Sequence, residues 1–119
     1  MAEFSAGKLL DTAEWVELFE TAGYTHNGQP SPRPRQPVTL YRACAPERRF
    51  GMSWTTDVER ARWFADRNLG HGTGNVYVYQ AEPFALLAFI DESGRGEAEY
   101  VIDPAYLSDD TVELLEMIP

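Results

Sequence analysis

The sequence predicts one small α+β domain, a mostly antiparallel, curved sheet or pair of sheets with two main helices packed on it. Three observations lead there. Two stretches carry apolar residues at helical spacing, and five carry the short β-branched or alternating pattern of strands. After the second helix no segment is long enough for the crossover that parallel strands require. With 119 residues, 44% of them hydrophobic and including three Trp, six Tyr and six Phe, the chain holds enough apolar material for a single compact core.

Taken in order, Asp11 with Glu14 three residues on caps a first helix. On it Trp15, Leu18, Phe19 and Ala22 repeat on one face, and Gly23 stops it. Asn27 to Pro37 contains four prolines, which forbid helix or central strand and make it an extended connection. Its Pro34-x-x-Pro37 spacing also fits a polyproline ligand, although a linker is the commoner use. Val38 to Ala43 reads as the first strand, with Leu40 and Arg42 on one face and Thr39 and Tyr41 on the other. Thr56 and Glu59 form a capping box ahead of a second helix on Val58, Ala61, Phe64 and Ala65, which runs to about Asn68 and ends at Gly70. Four more strands follow at Asn75 to Ala81, Ala85 to Ile90, Glu97 to Asp103 and Thr111 to Ile118.

Charge and composition narrow the function. A net charge of −9 opposes the phosphate backbone on which non-specific nucleic-acid binding depends. The basic residues concentrate between Arg33 and Arg67, while from Asp91 onward Arg95 is the only cation. That asymmetry suits a small anionic ligand, or simply internal pairing. The longest apolar run, Phe84 to Ile90, falls far short of the roughly 20 residues a membrane span needs. The first residues lack the apolar core of a secretory signal, and Cys44 is alone, so a cytoplasmic protein without an internal disulfide is expected.

Several motifs carry little. Gly70 to Gly74 has a helix before it and a strand after it, the reverse of a phosphate-cradling glycine loop. His26 and His71 have no ligands at metal-binding spacing, so no metal is expected. No His is placed to activate Cys44. Three features carry more, and they come in a fixed order. Arg42 puts a guanidinium inside an apolar strand, where it needs a carboxylate or a ligand phosphate unless it faces water from an edge. Ser53-Trp54-Thr55 stands directly before the second helix, as a turn and cap or as part of a site. Glu97-Ala98-Glu99 sets two carboxylates on one strand face about 7 Å apart, tolerable in water or beside a cationic substrate and a nearby Arg.

Together, Leu40-Tyr41-Arg42, Ser53-Trp54-Thr55 leading into a helix, and Glu97-x-Glu99 resemble the Arg-Ser-Glu branch of the ADP-ribosyltransferases over about Val38 to Pro104. The chain also looks like the small ADP-ribosyltransferase-like proteins of actinobacteria and their phages. The resemblance implies residues 38–119 as an NAD-binding core behind an N-terminal part at 1–37. It implies NAD as substrate, no metal, and mono-ADP-ribosyl transfer, a glycosyltransferase-class reaction. Arg42 would grip a phosphate of NAD, and Ser53 would hold the catalytic carboxylate, with Thr55 bracing the same turn and Trp54 among the NAD-binding residues. Glu99 would bond the 2′-hydroxyl of the nicotinamide ribose and face the positive charge that develops as nicotinamide leaves. Glu97 would align or deprotonate an arginine or other guanidine acceptor, on a protein or a small molecule. Phe50, Trp54 and Tyr77 are candidates to stack on nicotinamide. The competing expectation is a non-catalytic module that binds a nucleotide or a partner, such as a phage protein acting on its host.

Overall fold

The computed structural model describes residues 12–67, 74–91 and 98–118. Two helices, α1 (Thr12–Ala22) and α2 (Val58–Arg67), flank two sheets. The strands are β1 (Thr25–His26), β2 (Gln29–Pro30), β3 (Val38–Cys44), β4 (Ser53–Trp54), β5 (Gly74–Ala81), β6 (Leu86–Ile90), β7 (Glu99–Ile102) and β8 (Val112–Ile118). One sheet has the order β2-β1-β6-β7-β4 and the other β3-β5-β8. All pairs are antiparallel except β1 with β6. The expected α+β class, mostly antiparallel with two helices, is therefore what the chain forms.

The core explains the layering. Leu40 and Cys44 of β3, Tyr77 and Tyr79 of β5 and Val112 of β8 meet Trp54, Leu86 and Ile102 of the other sheet. Both sheets thus bury one face against each other. The outer face of the three-stranded sheet is covered by α2, whose Ala61 and Ala65 pack on Val76 with Tyr41 and Ala43. A Cβ on Gly74 would lie 2.3 Å from the Ala65 carbonyl oxygen, so only glycine lets β5 start this close beneath the helix. The outer face of the five-stranded sheet receives Trp15, Val16 and Phe19 of α1 against Met52, Leu87, Ala88 and Val101. Among the described residues no helix is long and apolar enough to cross a membrane.

Several expected boundaries move, each for a local reason. Gly23 does end α1, with φ at 78° and its N–H on the Phe19 carbonyl at 3.0 Å. Leu18, however, is 53% exposed, because the docking stripe runs through Val16 instead. The proline-rich segment is not wholly a linker. Asn27 and Gly28, both at positive φ, form a two-residue hairpin turn that lets Gln29–Pro30 pair with β1 at the sheet edge, where a proline is tolerated. The cap of α2 is Asp57 rather than Thr56: its carboxylate accepts the N–H groups of Glu59 and Arg60 at 3.0 and 3.1 Å. Ala85 belongs to a single 3-10 turn begun by Pro83, which delays β6 to Leu86. Strand β7 starts at Glu99 and ends at Ile102, shorter than Glu97 to Asp103, since Pro104 opens another 3-10 turn. Asp11, residues 68–73 and 92–97, and with them Glu97 and His71, lie outside the described residues.

The β1 strand is anchored where Tyr24 packs on the core beside Tyr100. Burial, then the neighbouring Tyr100, pushes the Tyr24 phenol from 10.0 up to about 12, with Arg33 pulling the other way. The unfolded chain therefore surrenders this proton first as pH rises. Folding stability is untouched below pH 10.0 on this account and falls progressively toward about 12. Denaturant unfolding across that window is expected to show this decline, and a shallower one in Tyr24→Phe.

Candidate functional site

The site is built where the two sheets touch. Tyr41 of β3 and Thr55, one residue past β4, exchange backbone bonds of 2.7 and 2.9 Å, an isolated antiparallel bridge that joins the sheets. Strand alternation then turns Arg42, next to Tyr41, toward the interior, where it is 2% exposed. Its Nε donates to the Arg48 carbonyl at 2.9 Å and its Nη1 to the Ser53 carbonyl at 2.8 Å. Instead of a strand-edge Arg facing water, the chain holds a buried guanidinium whose plane is fixed by backbone oxygens.

The segment between β3 and β4 wraps this guanidinium. Pro46 starts a 3-10 turn that ends at Arg48 and aims the Arg48 carbonyl inward. Gly51 passes directly over Arg42: a Cβ there would lie 2.3 Å from Nη2. The Gly51 carbonyl in turn accepts the Trp54 indole N–H at 2.8 Å. Arg42, Glu47, Arg48, Phe50 and Gly51 line a cleft of about 470 Å3, within the roughly 300–1,000 Å3 usual for small-molecule sites. Two guanidinium-bearing residues against one carboxylate make its lining net positive, which suits an anion.

Ser53 pairs with Val101 and Trp54 with Tyr100 across β4 and β7. Strand alternation puts Ser53, Val101 and Glu99 on one face and turns Trp54 and Tyr100 to the other. Arg42, Ser53 and Thr55 are thereby in direct contact or adjacent, and half-buried Glu99 stands two residues along β7 from the partner of Ser53. Ser53 is 0% exposed and, among the described residues, its hydroxyl has no hydrogen-bond partner. Thr55 accepts the Asp57 N–H at 3.1 Å and so steadies the start of α2.

Of the aromatic candidates, only Phe50 lines the cleft. Trp54 and Tyr77 belong to the core, with Trp54 packed 5.6 Å from Tyr79 between ring centres, so any help Trp54 gives a ligand is through the Gly51 loop it fixes. Cys44 is buried in the same core. The residues that sequence reasoning missed are Glu47, Arg48 and Gly51. Their signal was the glycine itself, in a polar stretch between two strands, where a close approach of backbone to a side chain is the usual explanation. Comparisons with protein-family models, curated proteins and solved structures return no match to this chain.

Two substitutions separate the parts. Gly51→Ala is expected to push Arg42 off its carbonyls, leaving buried oxygens without a partner and costing about 1–3 kcal/mol in chemical denaturation. An unchanged midpoint would show the guanidinium turning freely into the cleft. Ser53→Ala removes a buried hydroxyl that has no hydrogen-bond partner among the described residues, so its melting temperature should equal or exceed that of the unsubstituted chain.

Proposed function

We propose that this chain transfers ADP-ribose from NAD to a guanidine-type acceptor, using an ADP-ribosyltransferase-like arrangement of Arg42, Ser53 and Glu99. The observation that carries the reading is the bond from the Arg42 guanidinium to the Ser53 carbonyl, with Ser53 in register beside the strand of Glu99. Arg42 touches Ser53 next to a net-positive cleft, and the strand of Ser53 pairs with the strand that carries Glu99, which supports the reading.

On this reading Arg42 and Arg48 offer positive charge to the diphosphate, and Phe50 offers an aromatic face to nicotinamide. Glu99 bonds the 2′-hydroxyl of the ribose. As the C1′–N bond breaks, neutral nicotinamide departs and positive charge builds on the sugar, where a fixed carboxylate stabilises it more than in the ground state. An acceptor guanidine nitrogen then bonds C1′ and gives its proton to Glu97. The orphan hydroxyl of Ser53, on the face of Glu99, is the donor that would steady the carboxylate.

A second reading has its own support. Arg42 and Ser53 are enclosed and Arg42 is bonded internally, as purely structural residues are, which fits a non-catalytic module that holds a nucleotide in the cleft. Turnover separates the two. With labelled NAD and agmatine as acceptor, the unsubstituted chain is expected to form ADP-ribosyl product, and Glu99→Gln to lose roughly 100-fold or more in rate while still binding NAD by calorimetry. Binding without turnover in the unsubstituted chain selects the second reading. If NAD neither binds nor is consumed, both readings fall.

A further inference from the structure

Residues 74–119 carry ten carboxylate side chains and a single cation, Arg95. Within this half, Phe84 and Tyr106 stand exposed, at 57% and 42%, with ring centres 5.0 Å apart. Each ring projects from a 3-10 turn begun by a proline, Pro83–Ala85 and Pro104–Tyr106. Ala85, inside the first turn, and Leu107, directly after the second, are buried beside the two rings. The Asp103 N–H donates to the Ala85 carbonyl at 3.0 Å and ties the turns together, while the Thr111 hydroxyl holds the Tyr106 carbonyl at 3.2 Å. The two rings are thus presented on backbone fixed by prolines and hydrogen bonds, so little conformational entropy remains to be lost on contact.

The surroundings say what such a pair accepts. Glu82 is exposed beside Pro83, and Asp103 caps the second turn. Glu82 precedes Phe84 by two residues and Asp103 precedes Tyr106 by three, and burial first, then Glu82, Tyr106 and Asp103, push the Tyr79 phenol up. Elsewhere in the molecule arginines stand over aromatic rings: Arg33 over Tyr24, Arg49 over Phe50 and Arg60 over Trp63. Among the described residues no arginine stands over Phe84 or Tyr106. Arg33 and Arg49, which reach this half from other segments, are engaged with the Leu86 carbonyl and with Asp109.

We infer that the Phe84–Tyr106 pair is a docking surface for an arginine-bearing, cationic segment of a partner protein. The guanidinium lies on the ring faces and the nearby carboxylates supply the opposite charge. That this segment is also the ADP-ribose acceptor rests on the transfer reading above; the docking does not.

The test is fluorescence anisotropy with a labelled oligoarginine peptide at physiological salt, without NAD. The unsubstituted chain is expected to bind it, and Phe84→Ala/Tyr106→Ala to bind about tenfold more weakly, some 1.4 kcal/mol, at unchanged melting temperature. Glu113→Gln, which removes a charge on β8, should bind as the unsubstituted chain does. No binding by the unsubstituted chain, equal binding by the double variant, or an equal loss in Glu113→Gln would overturn the proposal. If the double variant does not fold, Phe84→Lys alone, at an exposed position, decides in the same way. Peptide binding in a chain that leaves NAD untouched would sink only the transfer reading.

Discussion

One buried guanidinium governs the way this molecule closes. The two sheets share a core, and among the described residues their backbones are stitched at one bridge, Tyr41 with Thr55, next to which stands the side chain of Arg42. A charged group inside a protein is costly unless polar atoms take over the role of water. Here the loop after β3 and the backbone of β4 do so with the carbonyls of Arg48 and Ser53. The loop follows the guanidinium because those carbonyls must reach it, and Gly51 follows from the lack of room above it. The cleft is the external surface of the same arrangement, so its shape and the join between the sheets are one structural problem.

Much of the fold was legible because the strongest signals were local. Periodicity located both helices, and β-branched and alternating runs located β3, β5, β6, β7 and β8 within a few residues. What escaped were elements too short to show a period. Strands β1, β2 and β4 have two residues each, and they exist because neighbours pair with them. The Asn27–Gly28 turn did carry a signal, but the prolines around it argued more loudly for a linker. Asp57 took the cap from Thr56 because Thr55 had already turned the chain, its hydroxyl accepting the Asp57 N–H.

The site was legible in a different sense. Arg42, Ser53, Thr55 and Glu99 were singled out by their order along the chain, which says nothing of distance. What brings Arg42 to Ser53, and the strand of Glu99 beside that of Ser53, is the bridge from β3 and the pairing of β4 with β7, contacts between residues well separated in the chain. Burial was the part least visible in advance. An arginine and a serine each enclosed to near completeness look no different in sequence from exposed ones, since the neighbours that enclose them come from three separate segments.

Helix α1 closes one outer face of the molecule without contributing a single fully buried residue. Trp15, Val16 and Phe19 rest on the sheet rather than inside it, and Gly23 lets the chain turn sharply out of the helix into β1. Stability in such a molecule is tiered, with a cooperative pair of sheets below and a lightly attached cover above. Sequence change is cheap in the cover and expensive at the seam. A lineage of this fold would therefore be free to exchange, lengthen or recharge its N-terminal helix while the residues around Arg42 stayed fixed by packing.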